Sequence, residues 1–418
     1  MKILFVSTLY QPYAIGGAEA TVKLLAEGAV RGGDAAVVVT LTPGRGEEQR
    51  VVDGIRVRYL PLFNVFFPHG PKPPARWSRP AWHLLEAWNP VMARRLATVV
   101  AEEAPDVVNI HNLQGFSAAI WGMLAARGIP VVQTLHDHHT ACANGVAYRH
   151  GRTCTAPCLP CRVLCTPRRH LSRRVEVLTV VSHRLRARVT GFGSFAGVRD
   201  SRIINGANLD SPLAEHRLPR PEGPLRLGFL GRIDLVKGLE TLLLAAQRLG
   251  PDRVSLHIGG TGEERYVAGL RARFSGPGIA WLGRVAPGAF FESIDALVVP
   301  SITEDSLPRV VHEAIGAGVP VIGAAIGGIP EMVTEGCTGF LVPAGDVAAL
   351  EALLRRLIDT PPDWAAMSEA CRAERGRYAF DRIFTAYRAA WMAAIAHRQA
   401  ALPRHGAGFP LTAEGDAA

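Results

Sequence analysis

Leu225-Arg226-Leu227-Gly228-Phe229-Leu230-Gly231-Arg232-Ile233-Asp234-Leu235-Val236-Lys237-Gly238 reads as a strand, a glycine exit, a short loop with two cations, and the opening of a helix over 239–249. A strand apolar along most of its length is covered on both faces, as in a parallel sheet. The unit then repeats. Strand runs fall at 254–258, 279–282, 296–300, 320–323 and 339–342, with helical segments at 263–274, 309–316 and 347–357. The same alternation fills the first half. Strands are expected at 2–7, 35–40, 55–59, 106–111, 130–135 and 176–181, and helices at 18–31, 91–103 and 117–127. Between the halves, Pro212, Pro219, Pro221 and Pro224 interrupt the pattern and mark a linker.

The fold class is therefore α/β: two Rossmann-like, doubly wound parallel-sheet domains facing a cleft. The expected boundaries are 1–207, with a Cys/Arg-rich insert at 140–175, then a linker at 208–224 and a second domain at 225–378. A helix follows at 379–399. The tail at 400–418 is Gly/Ala/Pro-rich and expected to be disordered. In such sheets ligands sit beyond the carboxyl ends of the strands, which is where chemistry is sought.

The first such loop reaches Gly16-Gly17-Ala18-Glu19 at a helix start. Paired glycines let backbone approach an anion, and the helix N-terminus adds N–H donors. No G-x-G-x-x-G follows the first strand, which disfavours a nicotinamide enzyme. In the second domain Arg232 and Lys237 flank one tight loop, where two cations suit a departing diphosphate. Ile258-Gly259-Gly260-Thr261-Gly262 is another glycine-rich turn, which could admit a nucleotide or lie against the cleft wall, and Gly260 is a donor-binding candidate. Pro300-Ser301-Ile302-Thr303-Glu304-Asp305-Ser306-Leu307-Pro308-Arg309-Val310-Val311-His312-Glu313-Ala314 runs strand, loop, helix. It places Asp305 at the strand exit and Glu313 on the helix. Carboxylates so placed suit two sets of hydroxyls, such as a sugar and a ribose. Gly318-Val319-Pro320-Val321 and Gly327-Gly328-Ile329-Pro330-Glu331 follow.

In their order and spacing these elements resemble glycosyltransferase family 4, of GT-B fold, over nearly the whole chain. The resemblance implies a sugar transferase that retains anomeric configuration and requires no cofactor. Its donor would be a nucleotide-diphosphate sugar of UDP or GDP type. It implies Arg232 and Lys237 on the diphosphate and Glu313 on the ribose. Gly16 and Gly17 would face the donor from the opposite side. The family usually has a Glu eight residues before the ribose-binding Glu. Here Asp305 stands there with Glu304 before it, and Ser306-Leu307-Pro308 replaces the usual Gly-Phe-Gly. His136, in Thr134-Leu135-His136-Asp137, matches a His near the family's reaction centre. His111 and Asp137 are further acceptor-side candidates. Two rival readings are a nucleotide-sugar epimerase of similar fold and a non-catalytic phosphate- or glycan-binding module.

The net charge of +9 is concentrated early. Residues 1–205 hold 25 Lys/Arg against 13 Asp/Glu, and 149–188 alone holds ten arginines and one acid, Glu176. With Phe63, Phe66, Phe67, Trp77, Trp82 and Trp88 nearby, this suits an anionic membrane surface and a lipid-linked acceptor. The alternatives are a glycan acceptor without lipid, arginines that are merely solvated, and aromatics that pack a surface helix. No zinc-finger, RNA-recognition or helix-turn-helix signature occurs, so nucleic acid is not expected. The first residues form a strand pattern, not a signal peptide, and the expected compartment is the cytoplasm, peripherally at the inner face of the membrane. Five of the seven cysteines fall at 142–165. They leave two readings open: a structural zinc at Cys154, Cys158, Cys161 and Cys165, with Cys142 able to replace one, or free and occasionally paired thiols.

Overall fold

The computed structural model describes residues 1–13, 16–68, 75, 77–206 and 223–401. Most of the expected linker and nearly all of the expected tail lie outside the described residues.

The first sheet has eight strands: β1 (Lys2–Val6), β2 (Ala35–Thr42), β3 (Glu48–Val52), β4 (Ile55–Pro61), β5 (Val107–Ile110), β6 (Val131–Leu135), β7 (Val177–Val180) and β8 (Asp200–Ile203). Their spatial order is β8-β7-β6-β5-β1-β2-β4-β3, and every neighbouring pair is parallel except β3 with β4. The second sheet has six parallel strands: β9 (Leu225–Leu230), β10 (Val254–Gly259), β11 (Ile279–Gly283), β12 (Ala296–Val299), β13 (Val321–Ala324) and β14 (Gly339–Val342). Its order is β11-β10-β9-β12-β13-β14. Both sheets reverse strand order at one point, between β1 and β5 and between β9 and β12. The loops leaving these strands part there and open a crevice.

Two strands of the first sheet escaped the sequence reading. β3 is exposed along nearly its whole length, so it carries no apolar run. It returns on β4 through Asp53 and Gly54, both at positive φ (49° and 79°), the geometry of a tight Asp-Gly hairpin. β8 is half-buried throughout and interrupted by Asp200 and Arg202, which pair with each other.

Helices cover both faces of each sheet. Those used below are α1 (Gly17–Arg31), α2 (His183–Gly191), α3 (Leu239–Leu249), α4 (Arg309–Gly316) and α5 (Phe380–Ala401). Gly238 must be glycine: its φ is +68°, and a Cβ there would stand 1.9 Å from the Pro300 carbonyl oxygen. That contact seats the β9–α3 loop against the β12 exit.

The last helix runs slightly past its expected end and packs on the first sheet. Ile383, Tyr387, Ala390, Trp391 and Ala394 join one core with Ile3, Phe5, Val132 and Val177. Trp391 is fully buried and donates Nε1–H to Asn109 Oδ1 at 2.8 Å. Burial of a side chain this large contributes about 3–5 kcal/mol by comparison with Trp→Ala changes in other cores.

A candidate active site between the two sheets

The β1 exit, the β6 exit, the β9–α3 loop and the β12–α4 segment face one cleft of about 610 Å³. From the first half come Gly16, Gly17, Thr21 and His136. From the second come Gly231, Arg232, Lys237, Ser301, Asp305, Leu307, Arg309 and Glu313. Most of the sequence candidates thus meet at one place.

Each charged group arrives with a partner. Arg232 is exposed, and its Nε donates to Asp234 Oδ2 at 2.6 Å. Asp234 also caps the turn by accepting the Lys237 N–H at 3.1 Å. Lys237 Nζ forms an ion pair with the Asp305 carboxylate. Arg309 donates to Glu313 Oε1 at 2.8 Å, one helical turn along α4. Arg309 also lines the cleft and was not among the sequence candidates. The signal for it was a third cation at the first position of α4, four residues before Glu313.

Arg309 also reaches the opposite domain. A Cβ on Gly17 would lie 2.7 Å from Arg309 Cδ, so the second glycine of the pair leaves room for that side chain. Gly16 contributes differently: its N–H donates to Glu19 Oε2 at 2.9 Å. Burial pushes the Glu19 carboxyl up, against the opposing pull of backbone N–H groups.

Gly260, Ser306 and Glu304 do not line this cleft. A Cβ on Gly260 would stand 1.8 Å from the Gly231 carbonyl oxygen, so Gly260 supports that loop from behind. Ser306 is buried. Its carbonyl lies under Gly328, where a Cβ would stand 2.0 Å away, and the Gly328 N–H donates to the Asp305 carbonyl at 2.7 Å. The Gly327-Gly328 pair therefore shapes the 304–306 loop.

Glu304 corrects the sequence reading most clearly. Its carboxylate turns away from Asp305 toward the first domain. Arg184 donates to Oε1 at 2.9 and 2.6 Å, Arg188 Nε donates to Oε2 at 2.8 Å, and His138 Nε2 lies 3.5 Å from Oε2. Burial works to raise this carboxyl, but His138, Arg188 and Arg184 together hold it well below the ordinary carboxylate range. Glu331 makes a second link: it accepts the His183 N–H at 2.8 Å and the Arg184 N–H at 2.6 Å, at the start of α2. Two second-domain carboxylates thus grip one first-domain helix.

Behind the cleft lies a smaller cavity of about 240 Å³ that shares Gly16, Gly17 and His136 with it. Its walls include Thr8, Glu19, His111, Asn112, Gln114, Gln133, Asp137 and Thr140. His111 and Asp137 meet here, not in the larger space. His111 Nδ1 and His136 Nε2 lie 2.9 Å apart, and the rings stack at 5.2 Å. Tyr387 of α5 also stacks on His111, at 6.2 Å. Burial pushes His136 down to about 4, with Asp137 pulling the other way. Burial, then the neighbouring His136, pushes His111 well below its ordinary value. Both rings are neutral near pH 7, one donating to the other.

The cysteine segment forms a short hairpin, Tyr148–Arg149 with Arg152–Thr153, then two short helices, Leu159–Leu164 and Thr166–Leu171. Among the described residues no group of three or more His, Cys, Asp or Glu side chains forms a ready-made metal cage. Burial, and then the nearby Cys142 and Cys158, push the thiol of Cys154, one of the four expected ligands, up. Its N–H donates to the Ala147 carbonyl and its carbonyl accepts from Arg188, while the Cys142 sulfur lies 3.9 Å from that of Cys161.

Residues 16–204 match the family described as glycosyl transferase 4-like domain, and residues 224–360 match glycosyl transferases group 1. The phosphatidyl-myo-inositol mannosyltransferase of Mycobacterium leprae is 30% identical over 302 residues, covering 68% of this chain and 74% of its own. Among solved structures, sucrose-phosphate synthase from Thermosynechococcus elongatus superposes with a TM-score of 0.74 at 20% identity, over 94% of this chain and 99% of the other. HepE from Anabaena, solved in complex with UDP, gives a TM-score of 0.66 at 18% identity over 94% and 100%. With two such domains and this cleft between them, the chain belongs to glycosyltransferase family 4 and has the GT-B fold.

Proposed function

We propose that the protein transfers a sugar from a nucleoside diphosphate donor, of UDP or GDP type, to an acceptor hydroxyl with retention of configuration. The observation that carries this reading is the convergence of Arg232, Lys237, Arg309 and Glu313 on a cleft whose other wall is Gly16-Gly17. HepE, of the same fold, binds UDP.

Arg232 and Lys237 hold the diphosphate, and Glu313 accepts hydrogen bonds from the ribose. Lys237 exchanges Asp305 for phosphate oxygens, which frees Asp305 for donor-sugar hydroxyls. As the bond from anomeric carbon to phosphate oxygen breaks, negative charge grows on the leaving group, and the two cations stabilise it. The acceptor hydroxyl attacks from the face the diphosphate leaves. Its oxygen bonds to the anomeric carbon, and its proton passes to a phosphate oxygen. Neutral His136 positions the reacting sugar at the junction of the two cavities, supported by His111. No catalytic metal is part of this reading.

The acceptor enters from the first domain and is a glycan, in the lipid-linked form a membrane-bound one. Trp77, Leu84, Leu159 and Val163 are exposed, and the helix Ser78–Ala87 lies against both short helices of the arginine-rich segment. This surface suits peripheral contact with an anionic membrane from the cytoplasm. Trp82 does not take part: it is buried and stacked on Phe66 at 5.7 Å. No helix among the described residues is long and apolar enough to cross a membrane.

A thermal-shift screen with nucleoside diphosphate sugars, followed by turnover assays on each hit, tests this. The expected result is stabilisation by one donor and sugar transfer that needs an acceptor. Conversion of the donor alone, without acceptor dependence, would support epimerisation instead. Flotation with anionic vesicles tests the membrane contact, and no binding at low salt would count against it.

A further inference from the structure

We propose that the smaller cavity receives the reacting ring of the acceptor and admits it only as a polyhydroxyl ring without an anionic group, rejecting phosphorylated sugars and uronic acids. This rests on the transferase reading and adds the chemical class of the acceptor's end.

The two cavities sort charge. Arg232, Lys237 and Arg309 line the larger cleft, where the diphosphate is placed. Among the described residues, no Lys or Arg lines the smaller cavity, and Glu19 and Asp137 are on its wall. That runs against its surroundings, since residues 1–205 hold 25 Lys/Arg against 13 Asp/Glu. Burial keeps the His111 and His136 rings neutral near pH 7. His139 is committed to Glu86, whose Oε1 lies 3.0 Å from its Nε2.

The start of α1 is a place that would draw an anion. Glu19 already serves it, with Oε2 accepting the Gly16 N–H at 2.9 Å. Asp137 accepts the His139 N–H through Oδ1 at 2.8 Å. A phosphate or carboxylate entering this space meets like charge with no cation on the wall to offset it, and that is how wrong partners are rejected.

Hydroxyls fit the same wall. They donate to the two carboxylates as charge-assisted hydrogen bonds. His111 Nε2 and Thr140 Oγ1 are buried without a hydrogen-bond partner among the described residues. A hydroxyl both donates and accepts, so it serves either tautomer of His111. The space, about 240 Å³, has room for one pyranose-sized ring and not for two. The rest of the acceptor, any lipid phosphate included, therefore stays outside. Gly16, Gly17 and His136 belong to both walls, which places a hydroxyl of that ring beside the donor.

The test uses full-length protein loaded with UDP or GDP, whichever calorimetry shows to bind. The probes are the methyl glycosides of glucose, galactose, mannose and N-acetylglucosamine, with the matching 6-phosphates and uronides. Binding is followed by NMR at the imidazoles of His111 and His136. At least one neutral glycoside should bind and shift both rings, and its anionic counterparts should bind at least about tenfold more weakly. Glu19→Gln and Asp137→Asn keep shape and hydrogen-bond acceptors, and each should narrow that ratio by about threefold or more. Failure of the wild type to bind either diphosphate would defeat the transferase reading itself. With the diphosphate bound, three results would overturn this proposal alone: no neutral ring binding, anionic rings binding as tightly as neutral ones, or a ratio unchanged in both variants.

Discussion

Arg309 of the second domain lies against Gly17 of the first, so closely that a Cβ on Gly17 would stand 2.7 Å from Arg309 Cδ. The arginine is also tied to Glu313 on its own helix. The glycine therefore leaves room for the Arg309 side chain across the cleft. Gly17→Val should displace Arg309 and spoil that arrangement. The expected loss in kcat/KM is about a hundredfold, as for misplacements near 1 Å, with little change in Tm. Steady-state kinetics with the identified donor, beside a melting curve, check this; an unimpaired valine variant would contradict it.

Arg232→Ala and Lys237→Ala should each lower kcat at least about a hundredfold, equivalent to roughly 2.7–4 kcal/mol of barrier. Arg232 is exposed and Lys237 half-buried, so neither change should unfold the protein. Single-turnover rates separate chemistry from donor binding. Unchanged rates in both variants would remove the phosphate clamp.

The two histidines give a pH signature. An unfolded His titrates near about 6.5, whereas burial holds His136 at about 4 and His111 also below normal. Between those values the unfolded chain binds more protons than the folded one, so stability rises with pH there. Full stability is present above about pH 6.5 and is lost as pH falls toward 4. Melting curves across this range should show the decline, and His111→Asn with His136→Asn should make it shallower, the buried His312, held down to about 3, supplying part of what remains. A flat wild-type profile would contradict a buried, neutral pair.

The interdomain grip on α2 gives a stability prediction. Glu304→Gln leaves Arg188 short of a charged partner, and a lost hydrogen bond to a charged group costs about 1.5–3 kcal/mol. Glu331→Ala removes a cap on two backbone N–H groups at the start of α2, costing about 0.5–2 kcal/mol. Chemical denaturation measures both. If each costs less than experimental error, the two carboxylates do not join the domains.

Trp391→Ala should destabilise the chain by about 3–5 kcal/mol and release α5 from the first sheet. Hydrogen exchange at β5 and β6 should then rise. Protection unchanged in those strands would show that α5 is not what covers them.

Much of the fold was legible because parallel strands carry unbroken apolar runs, as at Leu225–Leu230 and Val131–Leu135. The hairpin strand β3 was not, because a solvated edge needs no apolar residues. The gathering of Lys237, Glu313 and His136 around one cleft was legible from residue type near the ends of strands and the helices that follow them. The site was not legible where orientation decides. Glu304 and Asp305 are adjacent on one loop, yet one faces the first domain's arginines and the other the cleft. Cys142 and Cys154 have equal claims in one dimension, and only folding brings Cys142 to Cys161. Arg309 was hidden because its part depends on Gly17, which is distant in the chain.

The most direct measurement is calorimetric titration of a nucleoside and its diphosphate into wild type, Arg232→Ala and Lys237→Ala. A cleft that cradles the diphosphate through these cations should bind the diphosphate at least about tenfold more weakly in each variant, a loss of about 1.4 kcal/mol or more, while nucleoside affinity stays the same. Equal diphosphate affinity in all three proteins would contradict the account.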